Sequence, residues 1–514
     1  MTSLPRPDLT GVLGAALTSV LLAGCAGCAG GPDGGSADSA GGAAQDDRIS
    51  IAMLQPPRSG LTPLSDDAFK LSRWSTAETL VVLDAAGDAQ EALATSWTQE
   101  DELTWRFVIR PDVTFHDGTP MTTDAVVGAL TAATQAAPKP RILDGVELTA
   151  EADPAAPEET VLVRTASPDP LVPQRLSSPQ LAVLAPSAYG EDGVVDPTGA
   201  GSGPFVITAL DGTSSATLDR YDDYWGTAAQ VSGIDVDYVP DGTARAAALR
   251  TGTADVVEAI PVGQAVNLDE ELVHEVAMPR TNTLYLNTET GPFTDPAVRA
   301  AAREALDTQS VVDTVYEGRA DVAGGLLGPA LPWSQDRPER TLTPAGDVPQ
   351  QTITIGTFTD RAELPEVAVQ LEQQLESAGF DVQQEVREYA QIEADALAGA
   401  FDAFILSRAT VLDSGDPVAY LFSDFSCEGS FNISQFCDPA VDQALAAASA
   451  VAAGDERRAA ILEAERLILE ADAAIPMLHE RVIQGESARV RDAARDPRER
   501  LLVTTETTVT DSEP

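Results

Sequence analysis

The sequence predicts a layered α/β protein. Two observations carry that prediction. Strand and helix signals alternate along the chain, and residues 351–406 read as strand, helix, strand, helix, strand. That order implies parallel strands joined by helical crossovers. A length of 514 residues allows two to four domains at ~100–200 residues each. It also allows a core that needs no metal or disulfide scaffold.

Taken in order, the first element is an apolar stretch at residues 11–22 after a weakly positive start at Arg6. It is short of the ~20 residues that span a bilayer and has the length of a signal-peptide core. Leu22-Ala23-Gly24-Cys25 follows and resembles a bacterial lipobox, so residues 1–24 are expected to be a lipoprotein signal peptide. Cys25 is then the lipidated residue. Cys28 has a Cys at its −3 position and lacks that pattern. Residues 25–47 are mostly Gly, Ala, Ser and Asp, a composition that reads as a flexible tether. A lipid anchor plus a tether places the folded part beside a membrane without crossing it. No later stretch approaches ~20 apolar residues.

Asp295-Pro296 precedes a helix with Val298, Ala302 and Ala305 on one face. Asp caps free amides and Pro fits the first turn. Ile353 and Ile355 alternate with Thr in a strand ending near Phe358. Leu364, Ala368, Leu371, Leu375 and Ala378 then recur at helical spacing, with Pro365 opening the helix and Gly379 after it as a stop. A second strand starts at Phe380, a short helix is expected over 391–398, and a third strand over 401–406. Asp438-Pro439 opens another helix. A long helix is expected from about Asp455 to Ala474, ending before Pro476.

The chain carries 81 acidic and 32 basic residues, a formal net charge of −49. Only Lys70 and Lys139 are lysines; the other basic residues are arginines. This balance excludes nucleic acid as a partner, because phosphate binding needs clustered cations. It also disfavours anionic lipid head groups. The 43% hydrophobic content argues against whole-chain disorder. The remaining cysteines are Cys427 and Cys437. Export permits a disulfide between them. A zinc pair is the alternative, disfavoured because no second Cys or His pair lies at metal spacing.

Catalytic motifs fail on inspection. Gly201-Ser202-Gly203-Pro204 lacks the Lys of a phosphate-binding loop. No Gly-x-Ser-x-Gly elbow occurs. The three histidines, His116, His274 and His479, lie far apart in sequence. The chain reads as a non-enzyme with no cofactor and no metal.

Several segments together resemble the bacterial extracellular solute-binding proteins of family 5, the dipeptide, oligopeptide and nickel receptors of ABC importers. Leu93-Ala94-Thr95-Ser96-Trp97 is followed by Leu103-Thr104-Trp105-Arg106-Phe107 and by Phe115-His116-Asp117-Gly118-Thr119-Pro120. Gly201-Ser202-Gly203-Pro204-Phe205, Tyr224-Trp225-Gly226 and Leu249-Arg250-Thr251-Gly252 match in the middle. Pro292-Phe293-Thr294-Asp295, Asn432, Asp438-Pro439 and Ala474-Ile475-Pro476-Met477 match later. The Cys427–Cys437 segment is similar to the dipeptide receptors in particular.

The resemblance implies a two-lobed, Venus-flytrap fold of the periplasmic-binding-protein type, class II, with a small additional domain. Lobe I would comprise residues 48–85, 176–278 and 478–514, the extra domain 86–175, and lobe II 279–477. Segments near Thr281 to Asn287 and Ile475 to Leu478 would form the hinge. Asp413-Ser414-Gly415-Asp416-Pro417 resembles the loop whose first Asp holds a peptide's ammonium in peptide-binding members. The resemblance therefore assigns Asp413 to the ammonium. Arg361 is expected at the carboxylate, with Arg408 as the other candidate. Ser414 and Trp333 complete the expected ligand set. Ser414 stands where many oligopeptide receptors carry Tyr. The expected partners are a peptide or other small solute, a membrane permease, and the membrane through the lipid anchor alone. The expected state is a monomeric, exported, lipid-anchored receptor.

Overall fold

A computed structural model describes residues 47–510 except 144, 191–192, 347, 349, 362 and 412–413. The signal peptide, Cys25, Cys28 and the tether up to residue 46 lie outside the described residues, as does Asp413. No helix among the described residues is long and apolar enough to cross a membrane.

An 11-stranded mixed sheet runs through the described chain. Two long strands at its centre, Val273–Leu286 and Ala474–Glu486, pair antiparallel along most of their length. At one end the second of them pairs with Val256–Val257, which continues to the parallel strands Arg48–Met53 and Gly233–Tyr238. At the other end the first pairs with Ala403–Ala409, beside the parallel strands Gln351–Phe358 and Phe380–Arg387. Two large hydrophobic cores flank this crossing. One is built on residues 284–478 and contains Tyr285, Phe293, Phe404 and Phe425. The other gathers residues 49–256 and 490–503 and contains Trp74, Phe107, Phe115 and Phe205.

The strand–helix–strand reading of 351–406 corresponds to Gln351–Phe358, the helix Glu363–Ser377, Phe380–Arg387, the helix Tyr389–Leu397 and Ala403–Ala409. The Asp-Pro signals also work as expected. Asp295 accepts from the Ala297 amide at the start of Pro296–Ala305, and Asp438 accepts from Ala440 at the start of Pro439–Ala450. One boundary differs. The last long helix is Asp455–Glu470 rather than reaching Ala474. Asp472 takes a left-handed φ of 50°, which a continuing helix cannot contain. Ala474 already begins the central strand.

A separate four-stranded antiparallel sheet spans residues 94–165. The helix Thr123–Gln135 packs on it, its first turn capped by the Thr122 hydroxyl. His116, in the turn after this sheet's second strand, ties it to the second core. Its Nε2–H donates to the Gly203 carbonyl at 2.9 Å. The Gly201-Ser202-Gly203 run needs its glycines because a Cβ at Gly203 would stand 2.0 Å from the Ser75 carbonyl oxygen.

The second buried histidine, His479, lies on the central strand. Its Nδ1–H donates to the Thr281 hydroxyl at 2.9 Å, and that hydroxyl donates to the Leu326 carbonyl. Burial lowers both His116 and His479 to about 4. An unfolded histidine titrates near pH ~6.5. The unfolded chain therefore binds more protons between these values. The stability contributed by each neutral ring is complete above that range and is lost as pH falls through it. Replacing either ring (His116→Gln or His479→Gln) should flatten the acid-side fall in unfolding free energy by about 1.4 kcal/mol per pH unit. Denaturant unfolding across this range checks it.

Cys427 and Cys437 form a disulfide that closes a ten-residue separation. Asn432 organises the loop between them, donating to the Ser426 and Phe436 carbonyls. On the chain-entropy model the bond contributes about 2.7 kcal/mol. Cys427→Ser/Cys437→Ser should lower the unfolding free energy by that amount, measured by urea titration without reductant.

Candidate functional site

Arg408 is the penultimate residue of the strand Ala403–Ala409, and a loop then leads into the helix Val418–Phe425. The helix starts where Asp416 accepts from the Val418 amide. Its sequence, Val-Ala-Tyr-Leu-Phe-Ser-Asp-Phe, is apolar except at Ser423 and Asp424. Asp424 is fully buried. Its carboxylate accepts from Arg408 Nε and Nη2, both at 2.9 Å, and from the Tyr285 hydroxyl at 3.3 Å. Burial pushes the Asp424 carboxyl up, and the Arg408 guanidinium counteracts it. Burial pulls Arg408 down, but Asp424 more than offsets this and leaves it above its usual value. The Arg408 guanidinium also stacks over Phe431, 4.2 Å from the ring centre. Phe431 sits within the disulfide loop, so an ion pair and a ring contact fix this arginine.

Arg408 lines a cavity of about 480 Å³. Ser414, Asp416, Tyr420, Arg141 and Arg175 also line it. Arg175 is held by Asp169 and by the Ile142 carbonyl. A second cavity of about 550 Å³ adjoins the first and shares Arg175, Ser414, Asp416, Ala419 and Ser423 with it. Each is within the size range of small-molecule sites. Three arginines thus line one cavity in a chain whose net charge is −49.

A second cation group lies behind Arg408. Arg361 Nη1 donates to Glu480 at 2.8 Å, and Arg280 is 3.9 Å from the same carboxylate. Burial, then the nearby Arg361, holds the Arg280 guanidinium below its usual value, with Arg408 adding to the effect. Arg361 is not among the residues lining the two cavities. Ser414 lines both. Trp333 is packed in the 284–478 core, its Nε1–H donating to the Ala86 carbonyl at 3.2 Å. It borders a void of only about 20 Å³ beside Gly415 and Asp416. Asp416 is occupied structurally, accepting from Arg457 Nε and Nη2 at 2.6 and 3.0 Å. Asp413 lies just before this described loop. Among the described residues no group of three or more His, Cys, Asp or Glu is arranged to hold a metal.

Sequence reasoning missed Asp424, Glu480, Arg175 and Arg141. A lone Asp inside an otherwise apolar helix was a usable signal for Asp424, because a buried carboxylate requires a partner. The others come from segments too distant in sequence for spacing to reveal.

Residues 88–432 match the family model of the bacterial extracellular solute-binding proteins, family 5. The chain belongs to that family. The members of that family are extracellular solute-binding proteins. A probable di/tripeptide-binding protein of Pseudomonas aeruginosa is 28% identical over 299 residues, 54% of this chain. The chain thus spans only about half of that relative, 56% of its length. A glutathione-binding protein of Salmonella typhi is 25% identical over 432 residues, 79% of this chain and 83% of the relative. The crystal structure of a nickel ABC transporter from Bacillus halodurans superposes with a TM-score of 0.77 at 24% identity, covering 90% of this chain and all of that one. The likeness confirms the expected two-lobed fold of this family.

Proposed function

We propose that this solute-binding protein captures dipeptides or short oligopeptides in a cleft and delivers them to the membrane permease of an ABC importer. The observation that carries this reading is Arg408, locked against the buried Asp424 and lining a cavity that Arg141 and Arg175 also line. A peptide entering a closed cleft is a zwitterion losing its water, and an uncompensated charge costs several kcal/mol there. A fixed guanidinium offsets that cost at the carboxylate, each charge-assisted hydrogen bond contributing ~1.5–3 kcal/mol. Arg408 serves the carboxylate rather than Arg361, which is engaged with Glu480 away from the cavities. Asp413 serves the ammonium, and Ser414 beside it faces the ligand. The relative named for di- and tripeptides supports the solute class.

The lobes of this reading are residues 48–85, 176–278 and 478–514 for lobe I and 279–477 for lobe II, with 86–175 as the extra domain. The central strands Val273–Leu286 and Ala474–Glu486 act as the hinge on which ligand closes the lobes. Diacylglycerol on Cys25 holds the monomer at the outer face of the membrane. The alternative within the same fold is a nickel chelate, haem, an oligosaccharide or another small solute.

A thermal-shift panel tests the reading. Dipeptides and tripeptides should raise the unfolding temperature, with stabilisation near ~2.7 kcal/mol at a hundredfold excess over Kd. A shift with nickel–histidine or an oligosaccharide, and none with any peptide, would reject the peptide assignment.

A further inference from the structure

We propose that the disulfide loop from Cys427 to Cys437 belongs to the carboxylate subsite, with Phe431 as the positioning residue for Arg408. This role rests on the peptide reading above, in which Arg408 takes the ligand's carboxylate.

A guanidinium is a rigid plane that donates along its edges. Asp424 occupies one edge of Arg408, the one formed by Nε and Nη2. Nη1 has no hydrogen-bond partner among the described residues. It is the donor left for a ligand in the 480 Å³ cavity that Arg408 lines. Contacts along one edge leave the plane free to rock about that edge. A ring against its face stops this motion. The Arg408 Cζ stands 4.2 Å from the Phe431 ring centre, with the Tyr420 ring more distant at 5.9 Å. Both lie within the ~6 Å over which a cation is attracted to an aromatic face. The ring also keeps water from that face, and a charge-assisted bond strengthens where water is excluded.

The loop is built to bring this ring to this arginine. The Phe431 N–H donates to the Ser423 carbonyl at 3.0 Å, and Ser423 immediately precedes Asp424 on the helix Val418–Phe425. One helix therefore sets both the carboxylate that holds the edge and the ring that covers the face. Reaching Ser423 takes a close return of the chain. A Cβ at Gly429 would stand 2.4 Å from the same Ser423 carbonyl oxygen, so glycine is required there. The disulfide and the two bonds donated by Asn432 close the loop around Phe431.

Isothermal titration with Ala-Ala and its carboxyl-terminal amide isolates the carboxylate. The wild type should prefer Ala-Ala at least about tenfold. Phe431→Leu keeps apolar bulk and loses the aromatic face. In it the preference should fall by about three- to fivefold, the scale of one cation–π contact. Phe431→Tyr should keep the preference. Gly429→Ala and Cys427→Ser/Cys437→Ser disturb the loop with Phe431 still present, and should narrow the preference likewise. Both ligands are measured on one preparation, so a loss of stability alone leaves the ratio unmoved. If Phe431→Leu does not fold, the two loop variants decide in its place. An unchanged ratio in these variants, or a ratio narrowed as far by Phe431→Tyr, overturns the positioning role while the peptide reading stands. Equal binding of the two compounds to the wild type overturns the role of Arg408 and that of Phe431 with it.

Discussion

Arg408→Met lowers the unfolding free energy by about 3–5 kcal/mol at neutral pH, the effect of leaving one member of a buried ion pair unpaired. The size follows from Asp424. Its carboxylate is fully buried and takes two hydrogen bonds from Arg408. Burial already pushes its carboxyl up with the arginine in place. Without the arginine, the folded-state value rises further above the unfolded one. Such a group is stabilising only when protonated, so the variant's deficit is largest at neutral pH and shrinks as pH falls. Arg408→Met/Asp424→Asn removes the stranded charge and should recover most of the loss, because replacing both partners of a buried pair is far less costly than removing one. Urea unfolding of the wild type, the single variant and the double variant measures this directly. A loss under ~1 kcal/mol for Arg408→Met would mean the pair behaves like an exposed one.

Asp413→Ala weakens peptide binding by at least about thirtyfold, since truncating one partner of a desolvated charge pair costs ~2–5 kcal/mol. Its unfolding midpoint should stay near that of the wild type. Asp416, three residues on, is the carboxylate that carries the structural role, held by Arg457. Asp416→Ala should therefore show the opposite profile, losing stability first. Titration calorimetry with a dipeptide and a thermal melt on each variant separate the two roles. If Asp413→Ala binds peptides as the wild type does, the ammonium is held elsewhere.

Local order was legible where one chemical rule acts within a few residues. The Asp-Pro helix starts at 295 and 438, and the strand–helix alternation over 351–406, depend on capping and periodicity. The end of the long helix was misread because Ala471 and Ala474 are themselves helix-friendly. The break comes from the left-handed Asp472 and from pairing with a strand nearly two hundred residues earlier. The site was legible in part for the same reason. Arg408, the second candidate for a ligand's carboxylate, lines one cavity, and Ser414, taken from the loop resemblance, lines both. Arg408 and Arg361 differ in their long-range contacts: Asp424 and Phe431 clamp the first, while Glu480 engages the second. Trp333 has the composition of a cleft residue, yet its indole is packed in the core and donates to Ala86. Arg141 and Arg175, which line the same cavity as Arg408, lie more than two hundred positions away from it, and no spacing rule reaches that far.

The central claim is that a peptide's carboxylate is read by Arg408 in the cleft. Isothermal titration of the purified chain with Ala-Ala and with its carboxyl-terminal amide tests it most directly. The amide keeps the size and the ammonium and loses only the negative charge. The account predicts that Ala-Ala binds and that the amide binds at least about tenfold more weakly, the equivalent of one lost charge-assisted hydrogen bond at ~1.5–3 kcal/mol. Equal binding of the two compounds would contradict it.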